Sequence, residues 1–245
     1  MKKILFAIVF LIFLSDVNGQ TSFLGTVKIE FEKKVYARQL YKELYSQWYD
    51  MYKDRVPEQV VSYYDFIGDT TKSIYKPGRE VPIDSRSWYN SIADKNIVFT
   101  DYKSEKVIAQ KPVYEETFLV EDSTLKIKWK ITPDTRIIAG FECRKAVGII
   151  DDSIGVFAFY TDEIMISGGP ESIGGLPGMI LGLSVPRLHA TWFATGVQVN
   201  GVNISSVTPA TKGKKVTRKS MIGQLDAVLK NWGDYGKKMV VNFMI

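Results

Sequence analysis

Apolar and polar residues alternate along most of the chain, and this alternation predicts β-strands. From Phe23 to Glu32 the odd positions are mostly apolar and the even ones mostly polar, which is typical of a strand with one solvated side. Similar short runs recur, separated by turn residues. Counting the first strand, they predict about eleven strands, the others at 59–67, 72–76, 96–101, 106–110, 113–121, 124–131, 137–150, 154–161, 179–185 and 188–199.

Two segments follow a helical period instead. Leu40, Leu44 and Trp48 form an apolar stripe within residues 36–52, and a second stripe runs from Met221 to Trp232 behind Ser220, a candidate N-cap. The last residues, 238–245, read as one more short strand. Links of hairpin length favour antiparallel neighbours. We therefore predict a mainly β (α+β) protein: one curved antiparallel sheet, a half-barrel, with a helix near each end.

The first nineteen residues have the three parts of a secretory signal peptide. A basic start precedes the apolar run Ile4–Leu14, and Val17 and Gly19 occupy the positions that a signal peptidase reads. The run would rise only about 16 Å as a helix, roughly half of a bilayer core. We expect cleavage before Gln20, a periplasmic or secreted location, and no lipoprotein processing, since no Cys follows the run. Residues 20–245 then form a single domain without a transmembrane span.

Composition excludes several kinds of chemistry. With one His and one Cys, the chain cannot build a His/Cys zinc site or an internal disulfide framework. No phosphate loop, dinucleotide fingerprint or paired-His zinc motif is present, so we expect neither a metal nor a cofactor. The net charge of +5 is too weak to indicate a nucleic-acid partner. The roles of His189 and of the long unassigned stretch 77–95, a candidate functional loop, are left open.

Two residues of the strand 137–150 raise a question about its inner face. Cys143 alternates with Phe141, Val147 and Ile149, so it should face the core as a small apolar residue. The same alternation turns Lys145 inward. Either the strand ends or bulges there, or an ammonium group lines the cavity of the sheet.

The most distinctive segment, Ser167–Ile180, is rich in Gly and Pro. Pro177-Gly178 suits the centre of a type II turn, because Pro presets φ and Gly accepts the positive φ that follows. The segment therefore predicts a stiff turn that feeds a core strand. Its glycines would let a ligand or partner approach closely. The motif turn comprises Gly174, Gly175, Leu176, Pro177, Gly178, Met179 and Ile180.

The motif turn resembles the signature of the GLPGLI family, exported proteins of the Bacteroidota. Residues 139–146 are similar to that family's Gly-Tyr-x-Cys-x-Lys-Ala segment, and residues 160–164 to its Tyr/Phe-Thr-Pro-Glu-Ile. Asp162 stands in place of Pro, and Met179 in place of Leu. The resemblance implies a fold like that of the half-barrel lipoprotein carriers, with no established activity.

On this basis we expect a non-catalytic binding or carrier protein of the cell envelope. Its ligand would be a lipid, acyl chain or peptide, held near Leu176, Met179 and Trp192 with Lys145 as a polar anchor. One alternative is a structural or interaction partner of an outer-membrane receptor or transport system. A third interpretation is a hydrolase with a carboxylate-based site. A cluster of buried carboxylates with raised pKa values in one cleft would favour that third interpretation.

Overall fold

The computed structural model describes residues 23–45, 48–82 and 93–245, and these residues are mainly β-structure. The predicted signal peptide and most of the stretch 77–95 lie outside the described residues. The described residues form twelve strands: β1 Thr26–Val35, β2 Val60–Asp69, β3 Lys72–Pro77, β4 Ile97–Asp101, β5 Lys106–Val113, β6 Glu116–Ser123, β7 Lys130–Ile138, β8 Phe141–Ile150, β9 Ile154–Thr161, β10 Met179–Val185, β11 Ala190–Gln198 and β12 Lys214–Val216.

Helices lie near both ends of the described chain. The α-helices are α1 Ala37–Leu44, α2 Tyr49–Tyr52, α3 Arg218–Leu229 and α4 Gly233–Val240. Short 3-10 turns occur at Lys53–Arg55, Pro186–Leu188, Ile204–Ser206, Lys230–Trp232 and Val241–Phe243. None of the helices in the described ranges has the length and apolar character needed to cross a bilayer.

All described strands belong to one open sheet, in which antiparallel pairs dominate. Its order is β12-β6-β5-β4-β3-β2-β1-β11-β10-β9-β8-β7. The prediction of a mainly β, antiparallel sheet is confirmed. The predicted count of eleven missed β12, a three-residue strand that pairs in parallel with β6. The strand predicted at 124–131 is wrong for the most part, because residues 124–129 form the link before β7. The likeness to lipoprotein carriers stays a prediction.

The link between β6 and β7 requires the sheet to curl. These two strands are ten strand-to-strand steps apart in the sheet, which is about 48 Å if the sheet is flat. Residues 124–129 join them, and so short a link spans at most about 25 Å. The two sides of the sheet must therefore approach each other. Trp129 in the link packs against Gly148, where a Cβ atom would lie 2.7 Å from the indole ring.

The core fills the inside of this curl. Alternate residues of β1, including Val27, Ile29 and Phe31, are fully buried, as the period of two predicts. From α3, Met221, Leu225 and Leu229 pack on the same core cluster. The sheet and the C-terminal helices therefore enclose one continuous core.

The helix predicted at 221–232 is present but begins earlier. Thr217, not Ser220, is the N-cap of α3, and its Oγ1 accepts a hydrogen bond from the Ser220 backbone N–H at 3.2 Å. The strand predicted at 238–245 is wrong. Those residues form the end of α4 and a 3-10 turn, with Val241, Phe243 and Ile245 buried. A short apolar run fits either a strand or a buried helix, and packing against the core decides here.

Candidate functional site

The Gly-rich segment is a rigid turn tied to its surroundings by hydrogen bonds. The Ser167 hydroxyl donates to the Leu176 carbonyl at 2.6 Å, and the Trp129 indole N–H donates to the Gly174 carbonyl at 3.0 Å. The predicted positive φ at Gly178 is confirmed, at 145°. The type II turn is not, because the Gly178 N–H bonds the Leu176 carbonyl, which closes a three-residue turn around Pro177.

A cleft of about 490 Å³ lies between this segment and the wall of the sheet. Its volume is in the range of small-molecule sites. Its walls combine aromatic rings with hydroxyl groups, and within it the hydroxyls of Ser73 and Tyr102 are 2.8 Å apart. The lining residues include Phe66, Ser73, Tyr75, Val98, Thr100 and Tyr102 from the strands, 124–128 from the link, and 167–169 and 171–175 from the Gly-rich segment.

Glu171 connects the cleft with a smaller cavity behind it. It lines both, although only 4% of its surface is exposed. The Asn96 side-chain amide donates a hydrogen bond to Glu171 Oε2 at 3.0 Å. Glu171 also has a φ of 56°, a conformation that costs energy for a residue other than glycine and is enriched at functional sites.

Two buried lysines and a second carboxylate surround Glu171. Lys33 Nζ lies 2.8 Å from Asp94 Oδ1 and 5.3 Å from the centre of the Trp192 ring. Lys111 is 4% exposed and donates hydrogen bonds to the backbone carbonyls of Phe243 and Ile245. We call Lys33, Asp94, Asn96, Lys111 and Glu171 the buried polar cluster.

Burial is the main influence on protonation in this cluster. It raises the pKa of the Glu171 carboxyl above its ordinary value, and the attraction of Lys33 and Lys111 offsets part of that rise. It lowers the pKa of Lys111 to about 8. A carboxyl group whose pKa is raised retains its proton at higher pH and can donate it. The cluster therefore has the chemical character of an acid–base site.

No metal centre is found in the described part of the chain, since it holds no group of three or more His, Cys, Asp or Glu that could bind an ion. Cys143 is fully buried, as predicted, and burial raises the pKa of its thiol to about 12. Such a thiol is protonated and inert. The chemistry of the described residues therefore rests on carboxyl, amine, amide and hydroxyl groups.

The structure places the predicted ligand residues at separate positions. Leu176 and Met179 are packed in the core, and neither lines the cleft. Trp192 is also buried, but it lines the small cavity beside Glu171. From the motif turn, Gly174 and Gly175 line the cleft. The assignment of a ligand to these residues stays a prediction.

Lys145 does not reach the buried polar cluster. Its ammonium group lies 3.1 Å from Asp134 Oδ2 and is about a third exposed. It shares a face of β8 with Ile149, which is 53% exposed, whereas Ala146 and Ile150 are buried on the other face. The prediction of which β8 residues face the core is therefore wrong beyond Cys143.

His189 belongs to a network of polar contacts outside the cleft. Its Nε2 lies 2.8 Å from Glu43 Oε2, and Lys238 Nζ lies 3.6 Å from Glu43 Oε1. The hydrogen bond with His189 is the largest cause that lowers the pKa of the Glu43 carboxyl. These contacts join α1 and α4 to the turn before β11. His189 therefore holds elements together near the C-terminal helix.

Sequence reasoning missed the whole buried polar cluster, although a signal for part of it was present. Lys33 continues the inward alternation of Ile29 and Phe31, and Lys111 continues that of Ala109. A lysine at an inward position of a strand indicates a buried charge that needs a partner. Glu171 lies among glycines, where no alternation applies.

Comparison with known proteins gives the family. A model described as "N-glycanase peptide, N-terminal domain" matches residues 71–222, more than half of the chain. The chain belongs to this N-glycanase N-terminal domain family. No curated protein sequence matches it.

Two solved structures of PNGF-II, in space groups P21 and C2, are similar in fold to this N-glycanase N-terminal domain. Their TM-scores are 0.52 and 0.51, both at 15% sequence identity. The alignments cover 82% and 89% of this chain but only 33% of each PNGF-II chain. The chain thus spans about a third of the length of these structures, and the likeness bears on the fold.

The family match corrects three expectations. Membership of the GLPGLI family is wrong, because the family that matches is the N-glycanase N-terminal domain. The turn signature 175–180 is short, and the identification gave it more weight than the sequence of the rest of the chain. The expectations of a non-catalytic carrier or envelope binding protein, and of no enzyme, are wrong for the same reason. The hydrolase, placed third, is the nearest of the interpretations.

Proposed function

We propose that this chain serves the hydrolysis of N-glycosylated substrates, with saccharide held in the cleft and Glu171 as the proton donor. The observation that carries the proposal is the position of Glu171, a buried carboxyl group that lines the cleft within a family named for an N-glycanase. Glu171 meets part of the condition that favours a carboxylate hydrolase, because it is one buried carboxyl with a raised pKa in a cleft rather than a cluster of them.

The walls of the cleft suit a saccharide. A sugar ring has a C–H face that packs on aromatic rings and a rim of hydroxyls that exchange hydrogen bonds. Phe66, Tyr75 and Tyr102 supply rings, while Ser73 and Thr100 supply hydroxyls. In the reaction, protonated Glu171 would give its proton to the leaving group as water adds. The resulting carboxylate would then take a proton from that water.

Release of glycan from a glycopeptide with one N-linked glycan, measured by mass spectrometry, tests the proposal. We expect Glu171→Gln to lower the rate at least about 100-fold, because Gln cannot donate the proton. The wild-type rate should fall as pH rises through the pKa of Glu171. The variant should lack this dependence on pH.

Glu105→Gln is the matched control, since Glu105 lines the same cleft but is exposed and paired with Lys126. Its rate should stay within about twofold of wild type, because surface ion pairs contribute little. Calorimetric titration with the free glycan measures binding separately from turnover. A wild type that neither binds nor releases glycan, or a fully active Glu171→Gln, contradicts the proposal.

We also propose that the chain is exported and cleaved before Gln20, as its first nineteen residues predict. N-glycosylated proteins are met mainly outside the cytoplasm, so an exported location suits the proposed substrate. The intact mass of the protein purified from its native host tests the cleavage. A mass that includes Met1–Gly19 contradicts it.

A further inference from the structure

A row of aromatic rings lies outside the cleft. The rings of Tyr45, Tyr235, Trp232 and Tyr114 follow one another, and the centres of neighbouring rings are 5.1, 5.9 and 6.0 Å apart. None of the four lines the cleft or the small cavity beside Glu171. They come from the end of α1, from α4, from the 3-10 turn after α3 and from the β5–β6 turn. We call these four residues the aromatic row.

Two members of the row are more exposed than packing requires. Tyr114 is 61% exposed and Trp232 is 48% exposed. Tyr114 also has a φ of 54° in the two-residue turn between β5 and β6, where Gly or Asn is the usual residue. Its ring contacts Phe243, but most of its surface stays open. Strained residues of this kind are enriched at functional sites, which indicates that the Tyr114 ring contacts a ligand.

Close packing of α4 holds the rings in place. A Cβ atom at Gly236 would lie 1.9 Å from the Leu229 carbonyl oxygen, so only glycine allows α4 to approach the end of α3 this closely. Tyr235 therefore lies beside Trp232, and the two rings stack at an angle of 22°. The Tyr45 and Tyr235 hydroxyls are hydrogen-bonded at 3.0 Å. Because the rings are ordered before a ligand arrives, little side-chain entropy is lost on binding.

The chemistry of the row favours a neutral saccharide. Each ring combines an apolar face with a hydroxyl or an indole N–H. The hydrogen bond between Tyr45 and Tyr235 uses one of their two hydroxyl protons, so the other proton and several lone pairs remain. A sugar ring presents C–H groups to the ring faces and hydroxyls to these polar groups. Glu115 and Glu116 follow Tyr114 and are exposed, and their negative charge disfavours an anionic membrane or an acidic sugar.

We propose that the aromatic row is a second saccharide-binding surface, which takes a neutral oligosaccharide. Trp232 and Tyr114 pack on sugar rings, and the hydroxyls of Tyr45 and Tyr235 exchange hydrogen bonds with sugar hydroxyls. This surface goes beyond the proposed function, because it holds a glycan whether or not Glu171 acts on one. Only the choice of an N-glycan as the probe rests on the proposed function.

Titration of isotopically labelled protein with a neutral high-mannose N-glycan, followed by NMR, tests the proposal. The signal of the Trp232 indole N–H, identified by its absence from Trp232→Phe, should shift and saturate. The Trp129 indole N–H bonds Gly174 in the cleft wall and reports on the cleft separately. A shift at Trp129 with none at Trp232 overturns the second surface and leaves the proposed function intact. A shift at Trp232 without glycan release contradicts the proposed function alone.

Variants of exposed rings measure the contribution of stacking. Tyr114→Ala should weaken the affinity read from the Trp232 signal by about fivefold or more, because it removes one packing face. Phe157→Ala is the matched control, since Phe157 is an exposed aromatic residue of β9 outside the row, and it should leave the affinity unchanged. Equal affinities of wild type and Tyr114→Ala overturn the proposal.

A membrane is the competing occupant of such a surface. Phosphatidylcholine vesicles should leave the Trp232 signal unchanged. A response to vesicles and none to the glycan overturns the proposal. If Tyr114→Ala does not fold, the titrations of wild type with glycan and with vesicles decide.

Discussion

Gly178 has a backbone conformation that residues with a side chain rarely adopt. At a φ of 145°, a Cβ atom would lie 2.1 Å from the Thr161 carbonyl oxygen. Neither backbone segment can yield without disturbing the start of β10. The positive φ was predictable from the Pro-Gly pair. The contact with Thr161 was not, since it joins the end of β9 to the residue before β10, and these are distant in sequence.

Gly178→Ala should therefore lower the free energy of unfolding by at least about 2 kcal/mol. Gly155→Ala is the control, because a Cβ atom there would meet nothing within 4 Å. It should change stability by less than about 1 kcal/mol. Urea denaturation of the three proteins measures both effects. Equal losses in the two variants would show that the contact with Thr161 is not responsible.

Lys111 lies at an inward strand position, and burial of its ammonium group lowers the stability of the folded protein at neutral pH. Because its pKa is lowered to about 8 from an ordinary 10.5, the unfolded chain binds the proton more tightly than the folded one. Stability contributed by Lys111 is therefore greatest above pH 10.5 and falls as the pH drops to about 8. Below that it is constant.

Comparison of wild type with Lys111→Met should show this dependence. The stability of wild type relative to the variant should rise by up to about 3 kcal/mol between pH 8 and 10.5. Urea midpoints measured from pH 7 to 11 provide the check. Lys215→Met, at a lysine that is 73% exposed, should show no such rise. A constant gap between wild type and Lys111→Met would mean that the buried amine keeps its ordinary pKa.

At the scale of elements, strands were easier to predict than helix ends. Strands such as 154–161 coincide with the structure because alternation in sequence is alternation across the sheet. The start of α3 was misplaced by a few residues, since Thr217 and Ser220 are both good N-caps by type. Which of the two caps the helix depends on how the backbone leaves β12. The position of β12 is set by its pairing with β6, and that tertiary contact cannot be read from the local sequence.

Substitution of these two residues separates the alternatives. Thr217→Ala should cost about 1 kcal/mol of stability, because it removes the acceptor for the Ser220 backbone N–H. Ser220→Ala should cost less than about 0.5 kcal/mol, since its hydroxyl bonds only the exposed Gln224 side chain. Thermal unfolding followed by circular dichroism measures both. A larger loss for Ser220→Ala would place the cap where the sequence alone puts it.

At the scale of the molecule, the fold class was predictable and the site was not. Period-two patterns show which residues point inward, but not which strands become neighbours. Glu171 meets Asn96 because β4 and the Gly-rich segment approach each other inside the curled sheet. The inward strand positions of Lys33 and Lys111 would have been enough to predict them as buried charges. No pattern in the sequence predicts that Glu171 lies near both. The family followed from residues 71–222 taken together, and not from the six-residue signature.

The order of strands also constrains the path of folding. Strands β1 to β6 are consecutive neighbours on one side of the sheet, and β7 to β11 are consecutive neighbours on the other. Each half can form strand by strand from hairpins between residues that are close in sequence. The two halves are joined where Val35 meets Ala190 and Lys28 meets Gln198. Pairing β1 with β11 closes a long loop of chain. The loss of conformational entropy makes this step slow. A ribosome must release the chain as far as β11 before β1, the first of these strands to be made, gains its second neighbour.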